Sequence, residues 1–308
     1  MKIAIMGTGG VGGYFGAKLA LGGNEVGFIA RGAHLAAIRA QGLTVRSPLG
    51  NLHVQAPTAT DAPAEVGPVD VVLFGVKLWD TQAAAEAIKP LLGPQTLVIS
   101  LQNGVVKDDL LTAALGNAAV AGGVCYIAAT IEAPGVIGHA NKLQSMVFGE
   151  YGGRRSARIE RFHQACIQSG IEAGISDDIA RVIWEKFVFL VGLSAATATT
   201  RSPIGAVRRN PASRRLLEGV MQETVDVGRA EGVNLAADFA QDRLRFCDQI
   251  PADMTASMLR DLERGNPLEV EWLSGDVSAR GRRLGVPTPY NTAVFEMLAV
   301  HANGRARP

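Results

Sequence analysis

Apolar positions in the first half of the chain gather into short continuous runs: Ile3–Met6, Glu25–Ala30, Val69–Phe74, Thr96–Ser100 and Ala118–Ala129. Between them, apolar residues recur at helical spacing over Val11–Leu21, Trp79–Leu91 and Val105–Leu115. Continuous apolar strands that alternate with helices predict a mainly parallel, doubly wound sheet covered on both faces. Leu43–Val45 and Leu52–Val54 flank Pro48-Leu49-Gly50-Asn51, which predicts an added hairpin. A helix over roughly 155–169 and a strand at Ile171–Ile175 would close this half.

The pattern changes near Ser176. Ser176 reads as an N-cap followed by Asp177 and Asp178, and Ile179, Val182, Ile183, Phe187 and Leu190 then recur at helical spacing. Another helix opens with Asn210 as cap and Pro211 in the first position, and Gly232 is its expected stop. Helical patterns continue at Leu235–Gln249, Ser257–Arg264, Glu269–Leu284 and Tyr290–Ala302, so the second half is expected to be all-helical. The polar, basic tail after His301 is expected to fray.

With 308 residues, 47% of them hydrophobic, the chain has material for two packed cores. A net charge of +1 gives no general attraction to nucleic acid or to acidic membranes. No apolar run approaches membrane-spanning length, and no signal peptide precedes the first strand. Cys125, Cys166 and Cys247 lie in no metal-ligand spacing and read as buried thiols of a cytoplasmic protein. The five histidines form no cluster, and none is assigned to catalysis or to a metal. The helical half could support a homodimer, although no interface stripe stands out.

The segment Gly7-Thr8-Gly9-Gly10-Val11-Gly12 joins the first strand to the first helix. Gly7 suits a tight turn, Gly9 a close backbone approach to a pyrophosphate, and Gly12 close packing of helix on strand. The helix N-terminus then offers free N–H groups to phosphates. The second strand ends in Phe28-Ile29-Ala30-Arg31, without the acid that holds the ribose 2′-hydroxyl of NAD. Arg31 can instead pair with a 2′-phosphate, a contact worth about 1.5–3 kcal/mol. That favours NADPH as cofactor; the alternative is a solvated surface arginine.

Several segments together resemble the ketopantoate reductase (2-dehydropantoate 2-reductase) family. They are Gly7–Gly12, Arg31, Val76-Lys77, Leu101-Gln102-Asn103-Gly104, Trp184-Glu185-Lys186-Phe187, the run Ser257–Gly265 followed by Glu269, and Gly285-Val286-Pro287-Thr288-Pro289. The resemblance implies an NADP-binding Rossmann domain over 1–176 and a helical substrate and catalytic domain over 177–308, with the active site in the cleft between them. It implies reduction of a small-molecule 2-oxo acid, in the first place 2-dehydropantoate to pantoate as in pantothenate biosynthesis. By position, Lys186 is similar to the family's catalytic lysine and Glu269 to its active-site carboxylate. Ser257 and Asn103 resemble its substrate or nicotinamide contacts, and Lys77 a cofactor-side residue.

The chemistry fits those residue types. Hydride arriving at a carbonyl carbon leaves negative charge on oxygen, and a positioned ammonium can stabilise that charge and donate a proton. Each residue keeps a plainer alternative. Lys186 could snorkel to water, Glu269 could be a helix-start acid, Ser257 could be a cap, and Asn103 and Lys77 could be ordinary loop residues. Where many family members carry asparagines one and two turns after the lysine, this chain has Leu190 and Ser194; Ser194 can still donate a hydrogen bond. Ile204 likewise stands where some members are polar, so Leu190 and Ile204 predict a more apolar site and a less polar or larger 2-oxo acid. Other readings are a paralogue of that kind, a β-hydroxy-acid dehydrogenase, and an NADPH-binding sensor without chemistry. The segment around Ser257 and Glu269 favours the reductase.

Overall fold

The computed structural model describes residues 1–305. The chain divides into two compact units, one of Met1–Asn103 with Lys107–Val182, the other of Gly104–Val106 with the chain from Ile183 onward.

The first unit runs β1 (Lys2–Met6), α1 (Gly10–Leu21), β2 (Glu25–Ile29), α2 (Gly32–Gln41), β3 (Leu43–Arg46), β4 (Leu52–Val54), β5 (Thr58–Thr60), β6 (Val69–Phe74), α3 (Thr81–Ala87), β7 (Leu92–Ser100), α4 (Val106–Leu115), β8 (Val120–Ala133), β9 (Val136–Gly149), α5 (Ala157–Gln168) and β10 (Glu172–Ile175). Its sheet has the order β4-β3-β9-β8-β7-β6-β1-β2-β5, with β10 also on β9. Strands β5 through β8 in that order pair in parallel. The β8–β9 and β3–β4 hairpins are antiparallel.

Alternate side chains of each central strand serve opposite faces. Ile3 and Ile5 pack with Tyr14 and Phe15 of α1 and with Ile159 and Phe162 of α5. Ala4 and Met6 pack with Ala84 and Ala85 of α3 and with Leu111 of α4. The strands are buried on both sides for that reason, and the mainly parallel, doubly covered sheet expected from the sequence is the one found. The predicted hairpin over Leu43–Val54 is also present. The single helix expected over Trp79–Leu91 is instead a 3-10 turn at Leu78–Asp80, then α3, then a second 3-10 turn at Lys89–Leu91 that carries Pro90; proline supplies no N–H to continue the α-helical ladder.

The second unit is helical: α6 (Ile179–Thr200, which the division crosses at Val182), α7 (Ile204–Arg209), α8 (Pro211–Ala230), α9 (Phe239–Gln249), α10 (Ser257–Arg264), α11 (Ser274–Leu284) and α12 (Pro289–Ala299). Helix α8 lies at its centre, touching α7, α9, α11 and α12. Two glycines bring α6 onto α8: a Cβ at Gly192 would stand 2.5 Å from Met221, and one at Gly228 2.7 Å from Trp184. The Asn210 side chain accepts from the N–H groups of Ala212 and Ser213, the cap expected of it.

Four details depart from expectation. Ser176 does not cap α6: its hydroxyl accepts from Asp178 N, and Asp178 in turn accepts from Arg181 N at the helix start. The helix expected over Glu269–Leu284 is broken at Leu273, whose φ of −107° and ψ of −102° separate a 3-10 turn at Val270–Trp272 from α11. The tail does not fray where it is described, because Ala302 O accepts from Leu268 N and Arg305 N donates to Gly265 O. Its last three residues lie outside the described residues. Ile204 is fully buried in the packing of its unit, so it does not make an open site more apolar. Among the described residues the three cysteines are buried and form no disulfide, no His/Cys/Asp/Glu group is suited to a metal, and no helix is long and apolar enough to cross a membrane.

Candidate active-site residues

The glycine loop sits at the carboxyl end of β1, where a parallel sheet presents its ligand-binding edge. Gly7 has φ +95°, and a Cβ there would meet Val76 N at 2.8 Å and Gly75 C at 2.9 Å. A Cβ at Gly12 would meet Gly7 O at 2.3 Å, and one at Gly10 the carbonyl of Ala129 in β8 at 2.2 Å. Only at Gly9 does the added atom meet nothing within 4 Å. Three of these glycines are therefore required by close packing, Gly7 against the loop after β6, Gly10 against β8 and Gly12 against Gly7, whereas Gly9 borders open space. Thr8 is buried; its N and Oγ1 both donate to Ile29 O at 3.0 Å, which ties the loop to the end of β2. No side chain caps α1 and no acid stands in its first turn, so side chains leave the N–H groups of Gly10, Val11 and Gly12 uncapped. That arrangement fits a pyrophosphate.

The strand order places β2 and β6 on either side of β1, with β7 beyond β6. Arg31, Lys77 and Asn103, which follow β2, β6 and β7, therefore share the edge that carries the glycine loop. Arg31 is mostly exposed, and its Nη2 donates to Asp80 Oδ2 at 2.7 Å. Lys77 Nζ lies 5.5 Å from the centre of the exposed Trp79 ring.

Three residues here carry no signal of a role in the sequence pattern. Buried Gln102 donates from Nε2 to Val76 O at 3.0 Å and to Thr81 Oγ1 at 2.7 Å, and its Oε1 accepts from Ser100 Oγ at 3.0 Å, so it joins the loops after β6 and β7. Lys107, 1% exposed, donates to Asp108 Oδ2 at 2.8 Å, to Gly123 O at 3.0 Å and to Ser100 O at 3.3 Å. Burial raises the Asp108 carboxyl above the usual carboxylate range although Lys107 and Tyr151 both bond to it. Asp80 is the third; it comes to Arg31 from 49 residues away in sequence, which no local motif reveals.

In the second unit, Lys186, Leu190 and Ser194 recur every four residues along α6 and share a face. Lys186 and Leu190 are half-buried. Buried Trp184 and Phe187 beside Lys186 meet edge to face, their centroids 5.6 Å apart. Ser194 is 1% exposed, and its Oγ has no hydrogen-bond partner. Ser257 is the exposed first residue of α10, but the cap position is Ala256, so the plain capping role falls away. Ala256 N donates to Thr197 Oγ1 at 3.4 Å, holding the start of α10 to α6 one turn beyond Ser194. Half-buried Glu269 precedes the 3-10 turn at Val270–Trp272 and forms no side-chain cap there.

Residues 3–153 match the model of the family described as ketopantoate reductase PanE/ApbA, and residues 178–302 match the model of its C-terminal region. A 2-dehydropantoate 2-reductase of Mesorhizobium japonicum is 33% identical over 97% of this chain and 97% of its own length. The crystal structure of a PanE/ApbA family ketopantoate reductase from Ralstonia eutropha superposes with a TM-score of 0.89 at 34% identity, covering 98% of each chain. A D-mandelate dehydrogenase solved with NADH and anilino(oxo)acetate shares the fold, with a TM-score of 0.88 at 22% identity and 98% of each chain covered.

Proposed function

The chain belongs to the PanE/ApbA family of ketopantoate reductases, an NADP-dependent oxidoreductase family acting on CH–OH groups, and we propose that it reduces the ketone of a 2-oxo acid, 2-dehydropantoate in the first place, to the hydroxyl. The observation that carries this reading is the uncapped N-terminus of α1 behind Gly7 and Gly12, a ready site for a dinucleotide pyrophosphate. NADPH, when bound, supplies the hydride.

The chain's own residues then bind, orient and protonate. The N–H groups of Gly10, Val11 and Gly12 receive the pyrophosphate, and Arg31 and Lys77 the adenosine end. Asn103 orients the nicotinamide or the substrate. Lys186 Nζ stabilises the charge that gathers on the carbonyl oxygen and gives it a proton, which completes the CH–OH group. Glu269 is the carboxylate that accompanies that ammonium in this reading. Ser257 and Ser194 hold the substrate; the buried Ser194 hydroxyl without a partner suits a donor that a substrate oxygen satisfies. This assigns the cofactor to residues before Ser176 and the proton donor to the helical part.

Leu190 favours a second reading, a 2-oxo acid with a less polar side chain. A shared fold does not fix the substrate, as the D-mandelate dehydrogenase of this fold illustrates. The experiment is NADPH oxidation with 2-dehydropantoate beside a panel of branched and aromatic 2-oxo acids. Efficient turnover of 2-dehydropantoate is expected. Turnover confined to the less polar acids would move the assignment to the second reading, and no turnover with any of them would sink the reductase. Lys186→Ala should lower kcat about 10²–10⁴-fold with NADPH affinity unchanged; wild-type turnover in that variant would remove Lys186 as proton donor.

A further inference from the structure

Resting on the NADPH-dependent reading above, we infer that Asp80 sets how strongly this protein distinguishes NADPH from NADH, by occupying Arg31 and by standing as a second anion where the 2′-phosphate must bind.

The two residues come from loops on either side of the glycine loop, Arg31 after β2 and Asp80 after β6. Their 2.7 Å bond therefore spans the edge at which the adenosine ribose of a dinucleotide lies. Asp80 holds the N-cap position of α3, where an aspartate ordinarily accepts from the helix's first N–H groups. Here it makes no such cap; its carboxylate turns to Arg31 instead. Its backbone is fixed by the bond from Asp80 N to Lys77 O at 2.9 Å, so the acid is held at this edge.

The consequence for the cofactor follows from charge. Arg31 is 75% exposed and Asp80 33%, so the pair is a solvated one that a competing anion can open. A 2′-phosphate that takes the guanidinium must displace a carboxylate, so the gain is only the difference between two charge-assisted contacts. The displaced Asp80 then remains within a Debye length of the phosphate, where like charges repel. NADH makes no such demand. Its ribose 2′-hydroxyl can donate to a carboxylate, the contact that NAD enzymes make with an acid at the end of the second strand. In this chain the acid arrives from the loop after β6, and it lowers the preference for NADPH that Arg31 alone would create.

The test is fluorescence titration of NADPH and NADH into the full chain and into Asp80→Asn, Arg31→Ala and the double variant, with melting temperatures as a control for folding. Asp80→Asn is expected to tighten NADPH, raising the ratio of the NADH Kd to the NADPH Kd about tenfold. In the Arg31→Ala background the same change should have a smaller effect, because the pair is already broken. An unchanged or lower ratio in Asp80→Asn, with both nucleotides still bound, would overturn the role of Asp80 and leave the reductase reading intact. An effect of full size without Arg31 would overturn action through Arg31. Failure of the unmodified protein to bind either nucleotide would refute the cofactor reading itself, and this inference with it.

Discussion

Gly9 and Gly12 sit three residues apart at the start of α1, yet replacing them should fail for opposite reasons. A methyl group at Gly12 would be driven to 2.3 Å from Gly7 O, so Gly12→Ala should cost about 1–3 kcal/mol of stability. A methyl at Gly9 meets no protein atom within 4 Å, and its φ of −82° suits alanine. Gly9→Ala should therefore keep or slightly raise the melting temperature, while weakening NADPH about tenfold by filling the space beside the pyrophosphate. Calorimetry beside a nucleotide titration separates the two effects; NADPH binding of wild-type strength in Gly9→Ala would mean that the cofactor does not approach there. The asymmetry bears on sequence reading as well. A glycine motif records both packing and ligand, and only the tertiary structure tells which glycine serves which.

At the scale of elements, helix ends are held by side chains from elsewhere in the sequence. Glu223 of α8 is 7% exposed and accepts from Tyr290 N at 2.7 Å, from Asn291 N at 2.8 Å and from Asn291 Nδ2 at 2.8 Å. A carboxylate at a helix N-terminus also meets the positive end of the helix dipole. Glu223→Ala leaves these donors unpaired, and a loss of about 1–3 kcal/mol in chemical denaturation is expected. A loss of only a few tenths would show that water replaces the carboxylate. Local signals identified the Asn210 cap, which lies just ahead of Pro211. They could not identify Glu223, which lies 67 residues before Tyr290. Local signals do not announce α2 or β9 either. Helix α2 opens on Gly32 with no side-chain cap, and β9 mixes His139, Asn141, Lys142 and Gln144 among its apolar residues. That strand becomes regular only by pairing with β8.

At the scale of the whole molecule, two buried carboxyls push stability in acid in opposite directions. Burial raises the Glu150 carboxyl, but bonds from Arg158, Ser156 and Arg154 outweigh that and hold it below the usual range. A folded-state pKa below the unfolded value contributes stability that is complete above the unfolded value, about 4.3. That stability is lost as the pH falls through the folded value. Asp108 works in the opposite sense: burial raises it, so its ionised form costs stability near neutral pH, and acidification relieves that cost. Denaturation midpoints measured from neutral pH down to about pH 3 should show Glu150→Gln less stable than the unmodified protein at neutral pH. The gap should close as the pH falls. A gap that is constant over this range would mean that the Glu150 contribution is not electrostatic.

The sequence by itself determined the two-part architecture, because strands buried on both faces must be apolar throughout and helices around a core must repeat near every fourth residue. It also determined the family, whose motifs at the glycine loop, Leu101–Gly104, Lys186 and Ser257–Glu269 are local and ordered along the chain. Tertiary structure decided what depends on residues far apart in sequence. It gave Arg31 the carboxylate of Asp80 as a partner, packed Ile204 into a core, buried the Ser194 hydroxyl without a partner, and placed Lys107 and Gln102 beneath the loops at the sheet's carboxyl edge. The physical reason is range: periodicity and turn chemistry act over a few residues, whereas charge pairing and burial depend on which loops the strand order brings side by side.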